Sequence, residues 1–91
     1  MAKLYVKMPV RVYARVLQDF PDREVEVART ELGTDLVLDL PPGQYRVMFC
    51  RTDEDGIEYS ISEQDAEIRD YPVYEATILG FRHRDDLDLP V

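Results

Sequence analysis

Tryptophan is absent, histidine and cysteine occur once each, and glycine occurs four times in 91 residues. Each shortage excludes a chemistry. Cys50 alone leaves no internal disulfide, a staple that small secreted domains usually need, so a reduced cytoplasm is the expected compartment (the host's, if the chain is viral). His83 sits between Arg82 and Arg84, and no Ser-His-acid or Cys-His set assembles around it. Gly33, Gly43, Gly56 and Gly80 are too scattered for a phosphate-cradling loop. No apolar run approaches the roughly 18 residues of a membrane-spanning helix. Met1, Ala2, Lys3 and Leu4 open no long apolar region, so no secretory signal is expected. Asp53-Glu54-Asp55-Gly56 starts like a calcium loop, but the glycine has the wrong offset and Glu58 follows too soon. No metal or cofactor is expected. A chain this short has little interior for a deep cleft, and no catalytic residue is assigned.

What is present is an alternating, acidic chain. Apolar residues make up 45%, enough for one folded domain and too many for a disordered tail. Leu4, Val6, Met8, Val10, Val12, Ala14 and Val16 take every second position, the period of a half-buried strand. Pro9 cannot donate to a ladder and implies an edge, a bulge, or a bend between two shorter strands. Val25 and Val27 alternate with Glu24 and Glu26, and Leu36, Leu38 and Leu40 follow after a loop containing Gly33. Pro41-Pro42-Gly43 predicts a type II turn with positive φ at Gly43. Residues 45–50 are apolar on both faces, as in a central strand. Asp55-Gly56 predicts a hairpin turn into Ile57, Tyr59 and Ile61. Ser62 is a candidate helix cap with Asp65 three residues on, so residues 62–65 are expected to form a helical turn. Residues 73–81 are again strand-like, and residues 82–91 are expected to form a polar, flexible tail after a body spanning 1–81.

The expected fold is all-β, a small antiparallel β-sandwich or barrel of about seven strands with little helix. Its core is drawn from Leu4, Val6, Val10, Val12, Val25, Val27, Leu36, Leu38, Leu40, Tyr45, Val47, Phe49, Ile57, Ile61 and Ile78. Residues 38–47 resemble the strand–turn–strand of transthyretin-like β-sandwich modules. Residues 45–68 resemble the last hairpin of SH3-like barrels. Both resemblances imply a small β fold and no shared activity.

Charge is segregated. Lys3, Lys7, Arg11 and Arg15 make residues 1–18 purely basic, while residues 53–75 hold nine acids and one base, within a net charge of −8. On one extended strand, Lys3, Tyr5, Lys7, Arg11, Tyr13 and Arg15 would share a face, suited either to nucleic acid or to ordinary ion pairs with Glu24 and Glu26. The overall acidity opposes nucleic acid and anionic membrane alike. The acidic run has the opposite use: docking on a partner protein with a basic surface, as an inhibitor or a nucleic-acid-mimicking decoy. Glu54, Asp55, Glu58, Glu63, Asp65 and Glu67 are the candidate contacts, with Tyr71 and Tyr74 beside them. The alternatives are an assembly subunit that self-associates through β edges into a homo-oligomer, and a small ligand-binding domain or enzyme.

Overall fold

A computed structural model describes residues 1–69 and 71–83. Among the described residues there are eight strands: β1 (Ala2–Val6), β2 (Tyr13–Phe20), β3 (Arg23–Arg29), β4 (Leu36–Leu40), β5 (Gly43–Thr52), β6 (Glu58–Ile68), β7 (Val73–Thr77) and β8 (Gly80–His83). They form two four-stranded sheets, one ordered β4-β1-β7-β8 and the other β3-β2-β5-β6. Every pairing is antiparallel except β1 with β7. The fold is therefore all-β, with one strand more than expected, because residues 73–81 make two strands around a tight turn at Ile78 and Leu79.

The chain passes between the sheets four times, and three of the crossings carry proline: Pro9 after β1, Pro41 and Pro42 after β4, and Pro72 before β7. A residue that cannot donate to a ladder is tolerated where the chain leaves one. The crossing at Pro41 replaces the expected hairpin. β4 and β5 lie in different sheets, and Gly43 is not among the residues with positive φ, so the type II turn does not form. The Tyr45 hydroxyl donates to the Pro41 carbonyl at 2.8 Å and closes this corner. In the β5–β6 hairpin, Gly56 has φ +82° and the Asp53 carboxylate accepts the amides of Asp55 and Ile57, both at 2.9 Å. That turn matches its sequence signature.

The core lies between the sheets. Leu4, Val6, Val12, Val16, Tyr45, Val47, Phe49 and Ile68 are almost fully buried, with Ala14, Ala66, Tyr74 and Ala76 among them. Even-numbered residues point inward before and after Pro9, so the alternation keeps its phase across the break. Val10 stands in the turn and is 79% exposed. Val25, Val27, Ile57 and Ile61 are also exposed rather than core. Ile57 belongs to the hairpin turn. Val27 and Ile61 are the extra residues of two β-bulges: Val16 pairs Ala28 while Leu17 pairs Glu26, and Phe49 pairs Ser62 while Cys50 pairs Ser60. Val25 lies on edge strand β3, exposed or half-exposed throughout.

The helical turn expected at residues 62–65 is absent, since β6 runs straight through it. Ser62 faces inward and its hydroxyl donates to the Ile78 carbonyl, while the Gln64 amide donates to the Thr77 carbonyl at 2.5 Å. These bonds tie the two sheets together. At the far end, Arg82 and His83 belong to β8 rather than to a tail, and His83 stacks on Tyr71 with ring centroids 3.8 Å apart. The remainder of the expected tail lies outside the described residues.

Candidate functional site

The outer face of the β3-β2-β5-β6 sheet collects most of the acidic residues singled out in the sequence. Regular alternation along β6 puts Glu63, Asp65 and Glu67 opposite Met48, Arg46 and Gln44, facing away from the core. The bulge at Ile61 then shifts the phase, so that Ser60 and Glu58 join the same outer face. The bulge at Val27 does the same for Glu26 and Glu24 on β3. Without these two bulges, Glu24, Glu26 and Glu58 would point toward the other sheet.

Three guanidiniums from the interior strands and β3 meet these carboxylates. Arg15 bonds Glu26 at 2.6 Å and Glu58 at 2.8 Å. Arg29 bonds Glu26 at 3.1 Å and reaches Glu58 at 3.8 Å. Arg46 bridges Glu24 and Glu63 across the sheet. Tyr13 donates its hydroxyl to Glu58, and Arg29 lies over the Tyr13 ring at 5.9 Å. The same face also hides a second, small apolar layer. Leu17 is 6% exposed and Cys50 fully buried, although both face away from the inter-sheet core. Burial pushes the Cys50 thiol up, so it is an inert packing residue rather than a nucleophile.

Electrostatics follows from this geometry. The Glu58 carboxyl is held down by the Tyr13 hydrogen bond and then by Arg15. Glu26 is held down first by its bond to Arg15. Near the other end of the face, Asp19 and Glu24 are placed to share a proton, which pushes Asp19 up and Glu24 down, the latter helped by Arg46. The negative charge of Asp65 adds to the crowding around Asp19. Seven carboxylates (Asp19, Glu24, Glu26, Glu58, Glu63, Asp65 and Glu67) thus stand on one sheet face against three arginines of the sheet and Arg69, which follows β6 and pairs Glu67 at 3.5 Å. Their surplus is concentrated at the Asp19–Asp65–Glu67 end.

The residues proposed from sequence separate in space. Glu58, Glu63, Asp65 and Glu67 share the outer face. Glu54 and Asp55 sit exposed in the hairpin turn beyond it. Tyr71 is 40% exposed in the connection between β6 and β7. Tyr74 is 3% exposed, packs against Phe81, and accepts the Arg69 amide on its hydroxyl at 2.7 Å. Its ring belongs to the core and is not available to a partner. Sequence reasoning placed Glu24 and Glu26 only as ion-pair partners of the basic segment and did not include Asp19. Their proximity to β6 depends on β2 and β5 lying between β3 and β6, which no local pattern encodes.

The basic face expected on one long strand does not exist. The chain crosses between sheets after β1, and even residues point to the shared core on both sides of the crossing. Odd residues therefore point to opposite sides of the sandwich. Lys3 pairs Asp39 at 2.8 Å on one sheet, and Arg15 pairs Glu26 on the other. Among the described residues, no group of three or more His, Cys, Asp or Glu is arranged to hold a metal ion, and no helix is long and apolar enough to cross a membrane. No protein-family model, curated protein or solved structure matches this chain.

Proposed function

We propose that this protein is a non-enzymatic interaction module that docks the outer face of its β3-β2-β5-β6 sheet on a basic surface of a partner protein. The observation that carries this reading is the surplus of carboxylates on that face, seven against four guanidiniums, gathered from β2, β3 and β6. Arg15, Arg29 and Arg46 fix part of the set in place, which lowers the ordering cost of association. Asp19 and Asp65 remain as outward charge, with Glu67 beside them in an exposed pair with Arg69. Such a face accelerates encounter with a cationic partner and makes binding sensitive to salt. Inhibition or decoy activity toward a nucleic-acid-binding surface is one use of such docking.

The test separates the outward carboxylates from the structural ones. A fluorescent Arg/Lys-rich peptide is titrated by anisotropy with the wild type and with the triple variant Asp19→Asn, Asp65→Asn, Glu67→Gln. Binding by the wild type that weakens about tenfold or more in the variant, and between low and moderate salt, is expected. Equal binding by the two proteins, or binding indifferent to salt, overturns the reading.

A further inference from the structure

Nineteen acids face eleven bases in this chain, so a basic side chain has no shortage of partners. Eight of the ten described Lys and Arg residues are in ion pairs: Lys3, Lys7, Arg15, Arg23, Arg29, Arg46, Arg69 and Arg82. The other two, Arg11 and Arg51, line the same cleft, of about 490 Å³, with Tyr13, Leu32 and Thr52. Two unneutralised guanidiniums at one place in an acidic protein are an anion site by charge and by shape, since each offers a planar fork of donors. The cleft volume suits a small organic ligand.

Its walls are fixed independently of any ligand. Arg11 has φ +64° and is the one described residue other than glycine in the left-handed region. A β-carbon there is strained, and such strain persists only where neighbours impose it. They do so here. The Gly33 amide donates to the Val12 carbonyl at 2.8 Å, the Thr30 amide to the Ala14 carbonyl at 2.9 Å, and the Ala14 amide to the buried Thr30 hydroxyl at 2.8 Å. These bonds hold Leu32, 62% exposed, beside the start of β2. The Tyr13 hydroxyl is committed to Glu58, so the phenol contributes its ring rather than a donor.

We propose that this cleft binds a small organic phosphomonoester, with the phosphate between Arg11 and Arg51 and the apolar body against Leu32 and the Tyr13 ring. A phosphomonoester carries about −1.5 to −2 charges near neutral pH, which matches two guanidiniums better than a single carboxylate does. The site stands apart from the carboxylate surplus at Asp19, Asp65 and Glu67, and does not depend on the docking role of that face.

The experiment is an amide-resolved NMR titration of the full chain at low ionic strength with phenyl phosphate, inorganic phosphate and phenol. Saturable shifts with phenyl phosphate at Arg11, Val12, Leu32, Gly33, Arg51 and Thr52 are expected, with weaker ones for phosphate and none for phenol. Arg11→Gly and Arg51→Gln should each weaken phenyl phosphate binding about tenfold or more. Both variants should keep the wild-type melting temperature or exceed it, because neither arginine has an ion-pair partner and glycine relieves the strain at position 11. Leu32→Ser should weaken phenyl phosphate but not inorganic phosphate. The proposal is overturned by unsaturable or scattered shifts, by phosphate binding as tightly as its phenyl ester, or by affinity unchanged in the folded arginine variants. Loss of peptide binding in the Asp19, Asp65 and Glu67 variant with phenyl phosphate binding intact would show that the two sites are separate.

Discussion

The two faces of the β3-β2-β5-β6 sheet hide apolar side chains by different means. On the inner face, Val16, Val47, Phe49 and Tyr45 are covered by the opposing sheet. On the outer face, Cys50 is fully buried and Leu17 6% exposed, on a surface that carries long arginines pinned by carboxylates. A packed sheet is a rigid cover; a layer of ion-paired side chains can yield. The inner face therefore answers for stability, and the outer one combines moderate stabilisation with a charged surface.

The largest expected effect is on the inner face. Val47→Asp buries a carboxylate with no partner between the sheets and should cost about 4 kcal/mol or more, enough to unfold much of a small domain. A variant with wild-type thermal stability would refute the core assignment. A smaller effect sharpens the contrast directly. Phe49→Ala should cost about 3–5 kcal/mol, while Leu17→Ala should fall near about 2 kcal/mol because its arginine cover relaxes into the space. Equal losses in urea denaturation would mean that the outer layer is as rigid as the inner one.

How far this contrast is legible in the sequence depends on where the determinants lie. The inward parity of Leu4, Val6, Val12, Ala14 and Val16 is local, and alternation reveals it even across Pro9. The apolar residues at both parities in residues 45–50 announce a strand covered on both sides, which β5 is. The hairpin at Asp53 to Ile57 follows from Asp-Gly chemistry. The bulges do not announce themselves. Val27 and Ile61 read as inward residues because an alternating pattern contains nothing that marks the skipped position. Ser62 and Asp65 carry a helix-cap spacing, but β5 offers their backbone a complete ladder, and tertiary pairing overrides local preference. Pro41-Pro42-Gly43 signals a change of direction without saying whether the next strand pairs or changes sheet. Tyr74 looks like an interface tyrosine beside an acidic run, and only the packing of β7 against the other sheet makes it core. The acidic face itself is half legible: β6 shows its carboxylates in sequence, whereas Asp19, Glu24 and Glu26 join them through strand order alone.

Acid tests the outer face more than the inner one. Glu24, Glu26 and Glu58 are held below the usual carboxylate range by their bonds. A group whose value is lower in the folded state stabilises it above the unfolded value, and that contribution is lost as pH falls through the folded value. The melting temperature should therefore hold from neutral pH to about 5 and fall below about pH 4.3. The slope should flatten in a Glu26→Gln, Glu58→Gln variant. An unchanged melting temperature down to pH 3 would contradict the role given to these ion pairs.

The smallest effect has the opposite sign. Asp19 is pushed up, first because it can share its proton with Glu24, so its contribution is present below the unfolded value near about 3.9 and lost as pH rises through the folded one. At neutral pH the crowded charges repel. Asp19→Asn should then stabilise the protein by less than about 1 kcal/mol at pH 7 and have no stabilising effect at pH 3. A loss of stability at pH 7 would show that Asp19 is structural rather than part of the outward charge.

The proposed docking role requires that the acidic sheet face, not the molecule's overall charge, receive a cationic partner. Mapping amide shifts during titration with an Arg/Lys-rich peptide tests it most directly. Shifts concentrated at Asp19, Gln44, Asp65 and Glu67, abolished by neutralising Asp19, Asp65 and Glu67, are the predicted result. Shifts spread over both sheets, or centred on the Glu54 and Asp55 turn and unaffected by those substitutions, would contradict it.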